Sequence, residues 1–266
     1  MKILIPTIGT RGDVQPYIAL AQGLIARGHD VTIATHPIQQ GLVETYQVPF
    51  VPIGPDIDLG DETARIYENA WHWTIGFQRV MRFSFSMLEQ THQDILALAK
   101  DIDLMIISHT GAGSIEAAKL DIPNLSVTLF PQAIPAKDPT QSLVQRTISQ
   151  LAGAGMSLLM ERPVNKIRRR LGVGPMGPEG ITSKKLNLIP VSPLVSPPNP
   201  LWDPRHHITG FWFSSEPPGW QVPARLERFI KSGPPPVVIS LGAMAVRGAG
   251  ADQAARMALS AVQHAG

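Results

Sequence analysis

The stretch "IPTIGTRGDVQP", residues 5–16, sets two glycines, a guanidinium and a carboxylate between an apolar run and a helical pattern. Gly9 and Gly12 permit a tight turn and a close approach of ligand to backbone. The free amides that open a helix favour an anion, and Arg11 adds a charged donor suited to phosphate. Asp13 stands where a helix N-cap belongs, with Pro16 expected in the first turn. A carboxylate there caps the helix, faces a ligand crevice, or does both. The spacing also excludes chemistry. The glycines follow G-x-x-G rather than G-x-G-x-x-G, and Thr35 and His36 stand where a nicotinamide-binding chain would carry a ribose-binding acid. No Gly-Lys-Ser/Thr phosphate loop occurs, and "RGD" in a strand-to-helix turn is no adhesion signal. The absence of cysteine removes disulfides, thiolate nucleophiles and cysteine-held metals, and fits a cytoplasmic protein.

These residues need a scaffold. Apolar runs at 2–8, 30–35, 48–54, 103–109 and 124–130 read as strands, and they alternate with helical patterns at 14–30, 38–47, about 61–100 and 113–119. Strands that are apolar throughout and alternate with helices predict a parallel sheet covered on both faces: an α/β, doubly wound, Rossmann-like domain. In such folds ligands sit at the carboxyl ends of the strands, near the switch in strand order, where the Gly9–Asp13 turn emerges. Residues 140–171 read as a long helical region. Of 25 prolines, 12 lie between Pro190 and Pro236, which marks a stiff connection between domains. A new strand is expected over 235–245 and a new amphipathic helix over 251–266. One strand and one helix cannot bury a core alone, so a second lobe is expected to begin there and to be incomplete. With 44% hydrophobic and 17% charged residues in 266, the chain has material for a sizeable core. A net charge of +2 gives no footprint for nucleic acid. No run approaches the ~20 apolar residues of a membrane span.

"GTRGDVQPYIALAQGLIARGHDVTIATH", "DLMIISHTGAGSIEAAKLDIP", "RPVNKIRRRLGVGP" and residues 207–245 together resemble the two-lobed GT-B glycosyltransferases, most of all the sterol glucosyltransferase and antibiotic glycosyltransferase group. The resemblance implies an amino-terminal acceptor lobe over 1–213, a proline-rich linker over 214–234 and the start of a donor lobe over 235–266. It implies transfer of a hexose, glucose above all, from a UDP-sugar to a hydroxyl of a hydrophobic acceptor, with inversion and without a metal or resident cofactor. Asp13 becomes the general base. Many members carry a histidine there, oriented by an acid, and Ser108 stands at the position of that acid. Gly9, Thr10, Arg11 and Gly12 are expected to help hold the donor diphosphate, with Ser240, Gly242 and Ala243 from the second lobe. Ala243 replaces the group's usual serine.

On the acceptor side, His109 and Thr110 end the fourth strand, and His109 either contacts an acceptor or hydrogen-bonds a loop. Phe130 and Gln132 are expected to line the acceptor pocket. The aromatic stretch 71–85 is either helix packing or a wall for a bulky acceptor. The basic run 162–170 is either a solvated face or a peripheral membrane contact. Because the donor-binding segment of the group is absent, this chain alone is expected to bind donor poorly. The alternative is a non-catalytic acceptor-binding lobe, or half of a split transferase.

Overall fold

The computed structural model of the chain describes residues 1–58, 61–62, 65–66, 72–134, 162, 164–177, 180–240 and 249–265. Its centre is a seven-stranded sheet, parallel at every pairing. The strands are β1 (Lys2–Pro6), β2 (Asp30–Thr35), β3 (Phe50–Pro52), β4 (Leu104–Ile107), β5 (Asn124–Val127), β6 (Asn187–Ile189) and β7 (His206–Ile208). The helices are α1 (Arg11–Ile25), α2 (Gln40–Thr45), α3 (Trp73–Leu98), α4 (Ser114–Leu120), α5 (Ala224–Lys231) and α6 (Ala249–Ala265). The spatial order is β3-β2-β1-β4-β5-β6-β7, so the order reverses between β1 and β4. The expected doubly wound fold is therefore present.

Side chains of β1 alternate between the two faces, as a pleated strand requires. Ile3 and Ile5 join Val14, Tyr17, Ile18 and Ala21 of α1 in one core. Leu4 points the other way, among Ile95, Ala99, Ala112, Ala117 and Ile122. On that second face the buried His92 of α3 meets Glu116 of α4, Nδ1 to Oε1 at 2.5 Å. The contact ties the long helix to the element that follows β4.

Helix α1 begins three residues earlier than its sequence pattern suggests. Thr10, extended at φ −79° and ψ 178°, is the N-cap, and Asp13 is the third helical residue rather than the cap. Pro16 consequently sits in the second turn, where it has no N–H to offer the Gly12 carbonyl. The helix stops before Gly28, whose φ of +82° suits glycine.

Past β5 the sequence pattern misleads. The proline-rich region supplies β7, and Asn187 of β6 is the polar joint that holds this side of the sheet. Its carboxamide oxygen accepts from Ser126 Oγ at 2.6 Å and Thr128 Oγ1 at 3.0 Å, and its nitrogen lies 3.0 Å from His206 Nδ1. Trp212 then packs on the α1 core. Ser214 accepts from Gln15 Nε2 at 2.7 Å and Ser215 from Gln22 Nε2 at 2.9 Å, so the chain is strapped along α1 before it leaves. Residues 221–240 are exposed. The strand expected over 235–245 is not formed across 235–240, its described part. Most of the long helical region expected over 140–171 lies outside the described residues; 164–170 are helical.

Candidate active site

Asp13 is held by its own turn. The Thr10 amide donates to Asp13 Oδ2 at 2.7 Å and the Thr10 hydroxyl to the same oxygen at 3.0 Å. That fold-back is possible only because residue 9 is glycine. At φ +145°, a Cβ on Gly9 would lie 2.5 Å from Asp13 Cβ and closer still to Oδ2. Gly12 has no such duty, since the nearest atom to its would-be Cβ is Thr10 Oγ1 at 3.9 Å. The two glycines look alike in sequence and differ in what they do.

From across the switch point, His109 Nε2 reaches Asp13 Oδ1 at 3.1 Å. His109 follows β4, and Asp13 follows β1, so adjacent parallel strands deliver the two side chains to one crevice. The other ring nitrogen, Nδ1, lies 3.1 Å from the Tyr17 hydroxyl, and the His109 amide donates to that hydroxyl at 2.9 Å. Asp13, His109 and Tyr17 thus form a chain of hydrogen bonds running from the crevice into the core.

A carboxylate has roughly four lone-pair directions. Thr10 fills both on Oδ2 and His109 fills one on Oδ1, which leaves one on Oδ1 for an incoming O–H. The Asp13 side chain is 27% exposed and His109 9%, so the carboxylate is the group that meets solvent. Burial pushes the Asp13 carboxyl up. The bonds from His109 and Thr10 pull it down and prevail, so it lies below its ordinary value of 3.8 and is ionised at neutral pH.

The remaining expected residues divide. Ser108 does not orient Asp13: its hydroxyl pairs with Thr110 Oγ1 at 2.9 Å, and the orienting group is the next residue, His109. Both residues lie past the end of β4, in the turn that the Gly111 amide closes on the Ser108 carbonyl, and that turn aims His109 at Asp13 and Ser108 at Thr110. The Thr10 amide is taken by Asp13 and is not free for a diphosphate. The first helical amides, of Arg11 and Gly12, have no acceptor one turn back. Arg11 is exposed, with Nε 3.4 Å from Gln15 Oε1. Phe130, 62% exposed, places its ring edge-on to His109 at 6.3 Å between centroids, and Gln132 is exposed in the following turn. Thr110 is exposed beside His109.

Ser240 is exposed, whereas Gly242 and Ala243 lie outside the described residues, as do Trp71 and the side chains of Trp73, Phe77 and Phe85. Of the basic run, Arg170 pairs with Glu89 of α3 and Arg168 Nε donates to the Gly174 carbonyl at 2.6 Å. Among the described residues no helix is long and apolar enough to cross a membrane. Tyr17 is the residue that sequence reading missed. Its signal was available, because positions 13 and 17 share a helix face one turn apart.

The fold and this crevice define a doubly wound α/β lobe with a carboxylate–imidazole pair at its switch point. Residues 3–124 match the glycosyltransferase family 28 N-terminal domain. The chain is similar to O-mycaminosyltylonolide 6-deoxyallosyltransferase of Streptomyces fradiae, 29% identical over 264 residues that cover 91% of this chain and 61% of that protein. It is also similar to sterol 3-beta-glucosyltransferase of Vanderwaltozyma polyspora, 30% identical over 268 residues that cover 91% of this chain and 21% of that protein. Among solved structures it shares its fold with CalG4, the calicheamicin glycosyltransferase, with a TM-score of 0.59 and 20% identity over 84% of this chain and 55% of that one. The chain spans less than two thirds of the length of these curated relatives.

Proposed function

We propose that the chain is the acceptor-binding part of an inverting glycosyltransferase that moves a hexose from a UDP-sugar to a hydroxyl of a hydrophobic acceptor such as a sterol or an aglycone. The observation that carries this reading is the Asp13 carboxylate, ionised and held by three hydrogen bonds at the switch point. As the acceptor oxygen attacks the anomeric carbon, its proton passes to Asp13 Oδ1. The bond from that carbon to the diphosphate breaks, UDP leaves, and the configuration inverts. A carboxylate held low is a weak base towards a free alcohol. It suffices where the alcohol becomes acidic only as the new bond forms.

Arg11 and the α1 amino terminus are placed to take up negative charge on the departing diphosphate. Phe130 and Gln132, with Thr110, border the acceptor side. Both sequence relatives are named as sugar transferases, one acting on a sterol, which supports the acceptor class. Residues 1–213 would form the acceptor lobe, 214–234 the linker, and 235–266 the first part of a donor lobe.

The test incubates the chain with labelled UDP-glucose and cholesterol, with and without a carboxy-terminal donor lobe supplied as a separate chain. Transfer that falls about 10²–10⁴-fold in Asp13→Asn, with the circular dichroism spectrum unchanged, is the expected result. Undiminished transfer in that variant reduces Asp13 to a helix-capping residue. Acceptor binding with no transfer under either condition favours the non-catalytic lobe.

A further inference from the structure

We propose that Tyr17 is a positioning residue for this site: its buried hydroxyl presents His109 to Asp13 with the ring proton on Nε2. The inference rests on the reading of Asp13 as the base and deepens it.

The argument is one of donors and acceptors. A phenol oxygen carries one proton and two lone pairs. The His109 backbone amide can only donate, so at 2.9 Å it occupies one lone pair of the Tyr17 oxygen. The Tyr17 proton is then directed to His109 Nδ1, 3.1 Å away. Nδ1 must accept it, so the ring proton resides on Nε2, which donates to Asp13 Oδ1 at 3.1 Å. Every group in the chain is satisfied in this arrangement.

A ring proton on Nδ1 breaks it. Nδ1 would become a donor facing a donor, and the Tyr17 oxygen would have to accept two N–H groups. Its own proton would then lack an acceptor, in a side chain that is 0% exposed and packed among Ile3, Ile5 and Ile18. Leaving a buried hydroxyl unsatisfied is unfavourable. Ionising the phenol offers no escape, since burial pushes its pKa up. The rings reinforce the geometry: Tyr17 and His109 stack at 6.1 Å and 16°.

Among the described residues, the groups that face His109 are Asp13 and Tyr17 from α1, Ser108 and Thr110 from its own loop, and Phe130 from the turn after β5.

The experiment uses the chain itself, labelled with ¹⁵N-histidine, and reads both ring nitrogens of His109 by long-range ¹H–¹⁵N correlation across a pH series. In the wild type, Nδ1 is expected to carry an acceptor-type shift and Nε2 a protonated one. Tyr17→Phe keeps the ring in the core and removes the hydroxyl. There Nδ1 loses the hydrogen bond it accepts, so its ¹⁵N shift should move away from the hydrogen-bonded acceptor value seen in the wild type. An Nδ1 shift identical in the two proteins overturns the proposal. Should Tyr17→Phe fail to fold, the wild-type tautomer decides alone: Nε2–H supports the proposal and Nδ1–H overturns it. None of these signals depends on sugar transfer. Full transfer by Asp13→Asn would sink the base assignment and leave the Tyr17–His109 result standing.

Discussion

Replacing Gly9 by alanine tests the construction of the site more directly than any change to its polar groups. The backbone there has φ +145°, and the added Cβ would lie 2.5 Å from Asp13 Cβ and 2.6 Å from its carboxyl carbon. No rotamer of Asp13 that keeps both Thr10 bonds avoids that overlap. Forcing a side chain into this backbone region costs about 1–3 kcal/mol. Displacing the carboxylate loses two bonds to an ionised acceptor, each contributing about 1.5–3 kcal/mol. Part of this is recovered by water, because Asp13 is 27% exposed. A net loss of about 2–5 kcal/mol is therefore expected. The matched control is Gly12→Ala, where the nearest atom is 3.9 Å away and the backbone is helical. That variant should be unchanged or stabilised by up to about 1 kcal/mol. Urea unfolding followed by circular dichroism measures both. If Gly9→Ala unfolds at the wild-type midpoint, or if the two alanines behave alike, the account of how the turn holds Asp13 is wrong.

Asn187→Ala should destabilise the fold by about 2–4 kcal/mol, since it removes the buried acceptor that the Ser126 and Thr128 hydroxyls share and the donor that faces His206. Equal stability in urea would show that β6 and β7 hold without that joint. His36 gives a pH dependence. It is buried, and burial lowers its pKa below the ordinary 6.5 despite its bond to the Pro55 carbonyl. The unfolded chain therefore binds a proton that the folded one refuses, so stability falls as pH drops below about 6.5. His36→Asn, which can keep a donor towards Pro55 and cannot titrate, should flatten the stability profile between about pH 6.5 and 5. A slope unchanged in the variant would assign the effect elsewhere.

Sequence alone determined the first five strands of the sheet and the edge of it where ligands are expected. Continuous apolar runs such as "KILIP" and "LMII" have one stable use, a strand buried on both faces, and their alternation with helical patterns fixes a parallel order. The pattern failed where that signal fades: β6 and β7 have three residues each, two of those in β7 are histidines, and prolines surround them. Their place in the sheet depends on Asn187, a single side chain whose partners lie as far as 61 positions away. Asp13 was legible as a residue of interest because caps and carboxylates at helix starts are local features. Its partner was not.

His109 lies 96 positions from Asp13, and only the pairing of β1 with β4 brings them within 3.1 Å. Which of Ser108 and His109 turns towards Asp13 is decided by the turn that follows β4, and composition carries no trace of it. Tyr17 reads in sequence as one more apolar position on α1, and its hydroxyl acquires a task only once His109 arrives above it. Local spacing chose the carboxylate; long-range packing chose the imidazole and phenol that set its state, because hydrogen bonds between distant segments exist only after the sheet has assembled.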